Sequence, residues 1–404
     1  MSLPTYLHPF CRPAREDFVT IVRGDGALVW DASGNEYVDG MASLWCVTVG
    51  HGRREIIDAV SAQMSTLACY HTFEPFTNEP ADTLADEIAA VAPMTDARIF
   101  LTTSGSEAVD SAIKLARLAH ARAGRPERTL ILSRGRGYHG VTFGGMAAQG
   151  LPPNQEGFGP HVEGFENLPP DDIEAWAAFM AERGHEVAAV LAEPVQGAGG
   201  VYPPPDGYLA GLRRLCDQHG AFLILDEVIC AFGRLGEWFG AQHFGIVPDL
   251  VTFAKGVSSG YVPLGGVAVA PAVHEPLEAD PTYLLRHGHT YSGHPTCAAA
   301  GLANLAVIRD DGLLARAPAV GKRLSDGLRA IEADGLVAEV RGAGAVWAVG
   351  LAPESDAATV RDRMLEGGVI CRPIGTDTLA FCPPLVIEDA QVDRIVDTLA
   401  QALR

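Results

Sequence analysis

Apolar residues follow two alternating rhythms along most of this chain. From about residue 51, short apolar runs without internal alternation are separated by stretches in which apolar positions recur every three or four residues. The first rhythm belongs to strands buried on both faces and the second to amphipathic helices. Their alternation predicts an α/β domain built on a large, mostly parallel sheet with helices on each side. The strands expected are Arg98–Thr103, Arg128–Ser133, Val187–Pro194, Ala221–Asp226, Leu250–Ala254 and Val267–Ala270, with helices at Glu107–Arg122, Asp172–Arg183 and Gly207–His219.

The two ends of the chain read differently. Residues 1–50 suggest an extended arm, with strand pieces at Val19–Val22 and Ala27–Trp30 around a Gly24-Asp25-Gly26 turn. Past about residue 300, helices at Thr296–Asp310, Ala317–Glu332, Ala357–Glu366 and Asp389–Leu403 mix with short strands at Val337–Arg341, Ala345–Leu351 and Leu379–Cys382. We therefore expect an arm (1–50), a large α/β domain (51–300) and a smaller α+β domain (301–404) against which the arm packs. No internal repeat and no low-complexity segment interrupts this order.

Composition narrows the partners. A net charge of −20 argues against nucleic acid and anionic membranes, both of which call for a basic surface. The eight cysteines form no C-x-x-C pair, so no zinc or redox motif is expected, and no metal site. Free thiols in apolar runs suit a reducing, cytoplasmic compartment. The opening MSLPTYLHPF has neither a basic n-region nor an apolar core, and is not read as a signal peptide. No apolar run reaches 18 residues, the minimum for a membrane span.

Candidate chemistry starts with the lysines, of which there are three. Lys322 lies on a polar helix face and Lys114 on an exposed or half-exposed one. Lys255 instead follows the buried-looking strand LVTFA and opens a glycine-containing loop. A lysine at the carboxyl end of such a strand points into the crevice where α/β proteins bind ligands. Desolvation there lowers its pKa and makes it a nucleophile toward carbonyls; a snorkelling lysine is the plainer reading.

Asp226 closes the strand AFLILD. With no second cluster at metal spacing, it suits the partner of a cationic ring nitrogen, or a helix cap. The segment TTSGSEAVDSAIKLAR reads strand, turn, helix. Its Ser104, Gly105 and Ser106 lie where unpaired N–H groups and the helix dipole attract phosphate, although Ser104 with Glu107 also fits a capping box. Two other patterns fail. Gly135-Arg-Gly137-Tyr-His-Gly140 matches a dinucleotide fingerprint, but the Gly- and Pro-rich stretch after it opens no helix. Gly321-Lys322 lacks the remaining P-loop residues, since 316 and 323 are both Arg.

Taken together, SGSEAVDSAIKLAR, GYHG, AEPVQGAGGVYPP, LDEVICAFGRLGEWFGAQHFGIVPDL, TFAKGVSSGYVPLGG and HTYSGHPTCAAAG resemble the class III aminotransferases, in order and over nearly the whole chain. Within that class the likeness is greatest to the ω-transaminases of amine–pyruvate or β-alanine–pyruvate type. The resemblance implies the aspartate-aminotransferase-like fold (fold type I) and pyridoxal 5'-phosphate as cofactor, carried as a Schiff base on Lys255. It implies that Asp226 binds the ring nitrogen and that Val228 and Tyr138 cover the two ring faces. His139 would stand beside Tyr138, and Glu193 near the ring hydroxyl. Gly105 and Ser106 would hold the phosphate, and Thr290 would reach the phosphate of the neighbouring subunit in a homodimer with shared sites. Trp45 would wall the amine pocket, and Arg372 would pair with the keto-acid carboxylate and swing away from uncharged amines. Ping-pong transfer from an amine donor to a keto acid follows.

One departure is informative. Relatives that use 2-oxoglutarate carry Arg after the aromatic-His-Gly motif, whereas this chain has Val141, which favours pyruvate. Other class III reactions (4-aminobutyrate, diamine or diaminopelargonate transamination), an aminomutase on the same fold, and a non-catalytic binding protein are the alternatives.

Overall fold

The computed structural model describes residues 5–404, so the first four residues of the expected arm lie outside it. The arm forms an antiparallel ribbon of β1 (Ile21–Asp25), β2 (Leu28–Asp31) and β3 (Glu36–Asp39). The large sheet is made of β4 (Arg98–Thr102), β5 (Leu130–Arg134), β6 (Phe165–Leu168), β7 (Val187–Ala192), β8 (Phe222–Asp226), β9 (Leu250–Phe253) and β10 (Gly265–Val269). Its strand order is β4-β10-β9-β8-β7-β5-β6, with β10 antiparallel to both of its neighbours. The C-terminal segment adds β11 (Glu339–Ala343), β12 (Val346–Gly350), β13 (Val369–Ile370), β14 (Arg372–Ile374) and β15 (Thr378–Phe381).

The missing alternation in the sequence has a direct cause. On β5, Ile131 packs with Ala108, Ala112 and Leu115 of helix Gly105–Arg122 on one face. Leu130 and Leu132 pack with Trp176, Met180 and Leu212 of helices Ile173–Arg183 and Tyr208–His219 on the other. Both faces of the strand are therefore apolar, as a sheet covered on each side requires.

Arm and C-terminal segment share a sheet: β13 pairs parallel with β3, placing Ile370 beside Asp39. The remaining strands form a second sheet, β11-β12-β15-β14. Helices Arg54–Leu67 and Glu79–Val91, and the shorter Phe143–Ala148 and Pro271–Glu278, were not expected from the sequence; Phe143–Ala148 forms in the stretch after Gly140 that was read as opening no helix. The first has an apolar stripe of Ile56, Val60, Met64 and Leu67 at helical spacing, of which only Ile56 is fully buried. The long C-terminal helix begins at Leu313, ahead of the expected Ala317, and runs through Pro318. Among the described residues no helix is long and apolar enough to cross a membrane.

Gly321 has a packing role rather than a phosphate one. A Cβ at this position would stand 1.7 Å from the carbonyl oxygen of Gly344, in the turn between β11 and β12. Helix propensity alone favours Ala over Gly by about 1 kcal/mol. Backbone overlap reverses the sign, so Gly321→Ala should destabilise the protein by roughly 1–3 kcal/mol, read as a lower urea midpoint at unchanged slope.

Candidate active site

Register brings the two central side chains together. On neighbouring parallel strands Asp226 lies opposite Thr252, and Lys255 follows β9 by two residues. Both therefore stand at the carboxyl edge of the sheet, outside which open α/β sheets bind ligands.

Lys255 has φ +44°, in the left-handed region, a strain the sequence did not signal. Its loop is tied down from behind. Asn304, wholly buried, donates from Nδ2 to the carbonyls of Gly256 (2.8 Å) and Val257 (2.9 Å). Ser259 Oγ accepts from Val49 N–H at 3.2 Å, and the Tyr261 hydroxyl bonds to both Gly50 O and Arg53 N. The other lysines are engaged, Lys322 with Asp326 and Lys114 with His287, whereas Lys255 has no such bond among the described residues. Its amine lies within electrostatic reach of Asp226, Cys46, Glu193 and Cys382, and burial pushes its pKa down despite the pull of Asp226. The residue is half-buried by area; what lowers the pKa is the dry lining at its tip.

Asp226 is 5% exposed and holds three partners. Its Oδ2 lies 2.8 Å from Nδ1 of His139, and its Oδ1 accepts from Thr252 Oγ1 and Val228 N–H, each at 3.2 Å. His139 thus acts behind the carboxylate, as well as following Tyr138 in the chain. Glu193 accepts from the backbone N–H of Tyr138 (3.0 Å) and Gly197 (2.9 Å), clipping the Tyr138 loop to the loop after β7. Burial raises its pKa to about 7. Glu227 accepts from Gly240 and Ala241 N–H, and burial raises it to about 8.

The phosphate candidates form a helix start. Ser104 is the N-cap of helix Gly105–Arg122, its Oγ accepting from Glu107 N–H at 3.2 Å. The reciprocal bond of a capping box is displaced by one residue, since Glu107 Oε2 accepts from Thr103 instead. A Cβ on Gly105 would stand 2.9 Å from Val228 Cγ1, so glycine lets the helix start abut that side chain. Ser106 Oγ accepts from Val141 N–H at 3.1 Å and keeps its own proton to donate.

The substrate candidates divide. Trp45 is 3% exposed and packs with Val195, Cys230 and Cys382, so it is a core residue at the edge of the site. Arg372, half-buried at the start of β14, has an unpartnered buried Nε; burial lowers its pKa, while nearby Tyr138 raises it. Thr290 is exposed and lies on none of the strands or helices just described. Cys46, Cys382 and Thr252 join the site without having been expected. Thr252 opens the TFAKG segment and Cys46 follows Trp45, but only the fold brings them and Cys382 to Asp226 and Lys255.

The comparisons agree with this geometry. The class-III aminotransferase family model matches residues 11–403. A putrescine–pyruvate aminotransferase of Pseudomonas aeruginosa is 38% identical, over 94% of this chain and 89% of its own length. A thermostable (S)-enantioselective ω-transaminase from Thermomicrobium roseum superposes with a TM-score of 0.95 at 38% identity, covering 98% of this chain and 96% of its own. An amine transaminase from an uncultivated Pseudomonas species, described in its PLP-bound form, gives 0.95 at 33% identity over 100% and 99% of the two chains. A buried amine and carboxylate at adjacent strand ends, a helix start beside them and these likenesses lead to one conclusion: the chain belongs to the class III aminotransferases.

Proposed function

We propose that this aminotransferase moves an amino group from a primary amine or ω-amino acid to pyruvate in preference to 2-oxoglutarate, with Lys255 as its catalytic amine. The observation that carries the reading is the pairing of Lys255, its pKa lowered by burial, with Asp226 on the neighbouring strand end. Pyridoxal 5'-phosphate, the cofactor of the family, supplies an aldehyde carbon and a cationic ring that draws electrons.

The residues present fit that group. Asp226, pinned by three donors, offers a fixed carboxylate for the ring nitrogen. Val228 and Tyr138 border it, and Gly105 and Ser106 offer N–H and O–H donors at a helix start. Lys255 Nζ would hold the cofactor through its aldehyde carbon and, once displaced by the donor amine, would carry the proton from the donor's amine-bearing carbon to that former aldehyde carbon. Arg372 meets the acceptor carboxylate with its planar fork, and the unpartnered Nε leaves a donor free for that bond. Val141, in place of an arginine, leaves no second cation for a five-carbon diacid.

The same reading extends to assembly and location. Exposed Met64, Leu67, Tyr70, Phe73 and Phe76 lie on a segment bonded to the exposed Tyr291 region through Thr72–Ser292 and Thr296–Ala68. Such an apolar face suits a second copy of the chain, with the partner's Thr290 completing the phosphate site. The shared sheet of arm and C-terminal segment supports the division into arm, large domain (51–300) and small domain (301–404). Cysteine usage supports the cytoplasm.

Two outcomes are expected. The purified protein should be yellow, its band bleaching with amine and returning with pyruvate, and Lys255→Ala should fold yet lose turnover by about 10²–10⁴-fold or more; a variant that still transaminates overturns the assignment. Arg372→Ala should raise the KM for pyruvate about 10–100-fold, the loss of one charge-assisted contact, while kcat/KM for an uncharged amine stays within about twofold. An amine panel run against pyruvate and 2-oxoglutarate decides the acceptor.

A further inference from the structure

Asp39 is a buried charge that none of the chemistry above uses. It ends β3, is 2% exposed, and gathers three donors. Met41 N–H bonds to Oδ1 at 3.2 Å, Ser43 N–H to Oδ2 at 2.7 Å, and His51 Nε2 lies 2.8 Å from the same Oδ2. The loop between Asp39 and His51 is strained: Ala42, Ser43 and Trp45 have φ +48°, +60° and +65°. Side-chain-bearing residues keep that conformation only where their surroundings over-determine it. Here the carboxylate does so, gripping two amides on one side of the bend and an imidazole at its far end.

His51 is itself seated. Its backbone exchanges two hydrogen bonds with Gly26 (2.8 and 3.1 Å), and a Cβ on Gly24 would stand 2.7 Å from its ring carbon Cγ. The β1–β2 turn therefore carries one end of the clamp and β3 the other. Between them the loop delivers Trp45 against Val195 and Cys382, and Cys46 to within electrostatic reach of Lys255. Beyond Cys46 it meets the lysine loop, where Val49 N–H bonds to Ser259 Oγ.

We infer that Asp39 and His51 are a positioning pair that fixes Trp45 as the wall of the amine pocket and so sets which amines are accepted. The inference rests on the proposed transaminase reading and on the role in the amine pocket that the family resemblance implies for Trp45. Neither member of the pair touches substrate or cofactor; both act through the loop. A carboxylate is needed because both oxygens accept. The amide of an Asp39→Asn variant offers one oxygen and turns an NH2 toward incoming donors.

The test uses the cofactor-loaded enzyme with pyruvate as acceptor. It reads the ratio of kcat/KM for a bulky arylalkyl amine to that for a small straight-chain amine. Asp39→Asn, His51→Ala and His51→Gln are measured alone and in a Trp45→Ala background, with melting temperature and the yellow band confirming fold and loading. Asp39→Asn and His51→Ala should each change the ratio roughly fivefold or more. His51→Gln, whose amide replaces the lost donor, should restore most of it. Both shifts should vanish once Trp45 is truncated, because the pair then has nothing left to position.

An unchanged ratio, an equal loss for both amines, or a shift of the same size without Trp45 overturns the inference. If Trp45→Ala alone leaves the ratio unchanged, the reading of Trp45 as pocket wall fails first and takes the inference with it. If Asp39→Asn does not fold, the two His51 variants decide alone.

Discussion

Burial and charge compete at Lys255, and much of the crevice follows from which one wins. An amine serves as nucleophile and base only when a useful fraction of it is neutral, yet this one stands beside a carboxylate that favours its charged form. Burial prevails. The surroundings help by keeping further negative charge away. Glu193 and Glu227 are both pushed up by burial, to about 7 and about 8, so neither adds a full charge at neutral pH. Asp226, by contrast, is surrounded by donors from His139, Thr252 and Val228. Three carboxyl groups lie close together, and the hydrogen bonding singles out one as the anion a cationic ring needs.

How much of this was legible in the sequence depends on whether the information is local. Six of the seven strands of the large sheet were legible because burial leaves unbroken apolar runs such as LVTF and AFLILD, whereas the half-buried edge strand Phe165–Leu168 was not. Lys255 and Asp226 were legible for the same reason, since each follows or closes such a run. Helix Arg54–Leu67 was missed although Ile56, Val60, Met64 and Leu67 recur at helical spacing; most of that apolar face stays exposed on the single chain. The seven-strand order, the reversed β10 and the pairing of β3 with β13 depend on contacts hundreds of residues apart. What the sequence did not show for Glu193 and His139 is their bonds, to the Tyr138 and Gly197 amides and to Asp226. Residue type and motif cannot separate a side chain that meets a ligand from one that holds its neighbour.

Strain shows where the fold spends stability for geometry. Left-handed φ values at Trp45, Val201, Phe232, Lys255 and Ser259 fall in loops or single short turns, outside the strands and the long helices. Each such residue costs on the order of 1–3 kcal/mol, and a rigid sheet can bear that where a mobile loop could not. The Lys255 loop and the Asp39–His51 loop brace one another through Ser259 and Tyr261, so neither relaxes alone.

That bracing separates two tasks in space. The groups suited to the chemistry, Lys255 and Asp226, stand on the large sheet, whose central strands are buried on both faces and have the least freedom to move. The groups suited to discrimination stem from the small sheet joining the arm to the C-terminal segment. Asp39 ends β3, Ile370 lies beside it on β13, and Arg372 follows two residues later. Arg372 itself opens β14, which belongs to the other four-stranded sheet, so the small sheet sets only where the β13–β14 connection enters it. In the proposed reading, Trp45 and Arg372 follow the neighbouring strand ends of β3 and β13, and the arm loop reaches the lysine loop through Ser259 and Tyr261.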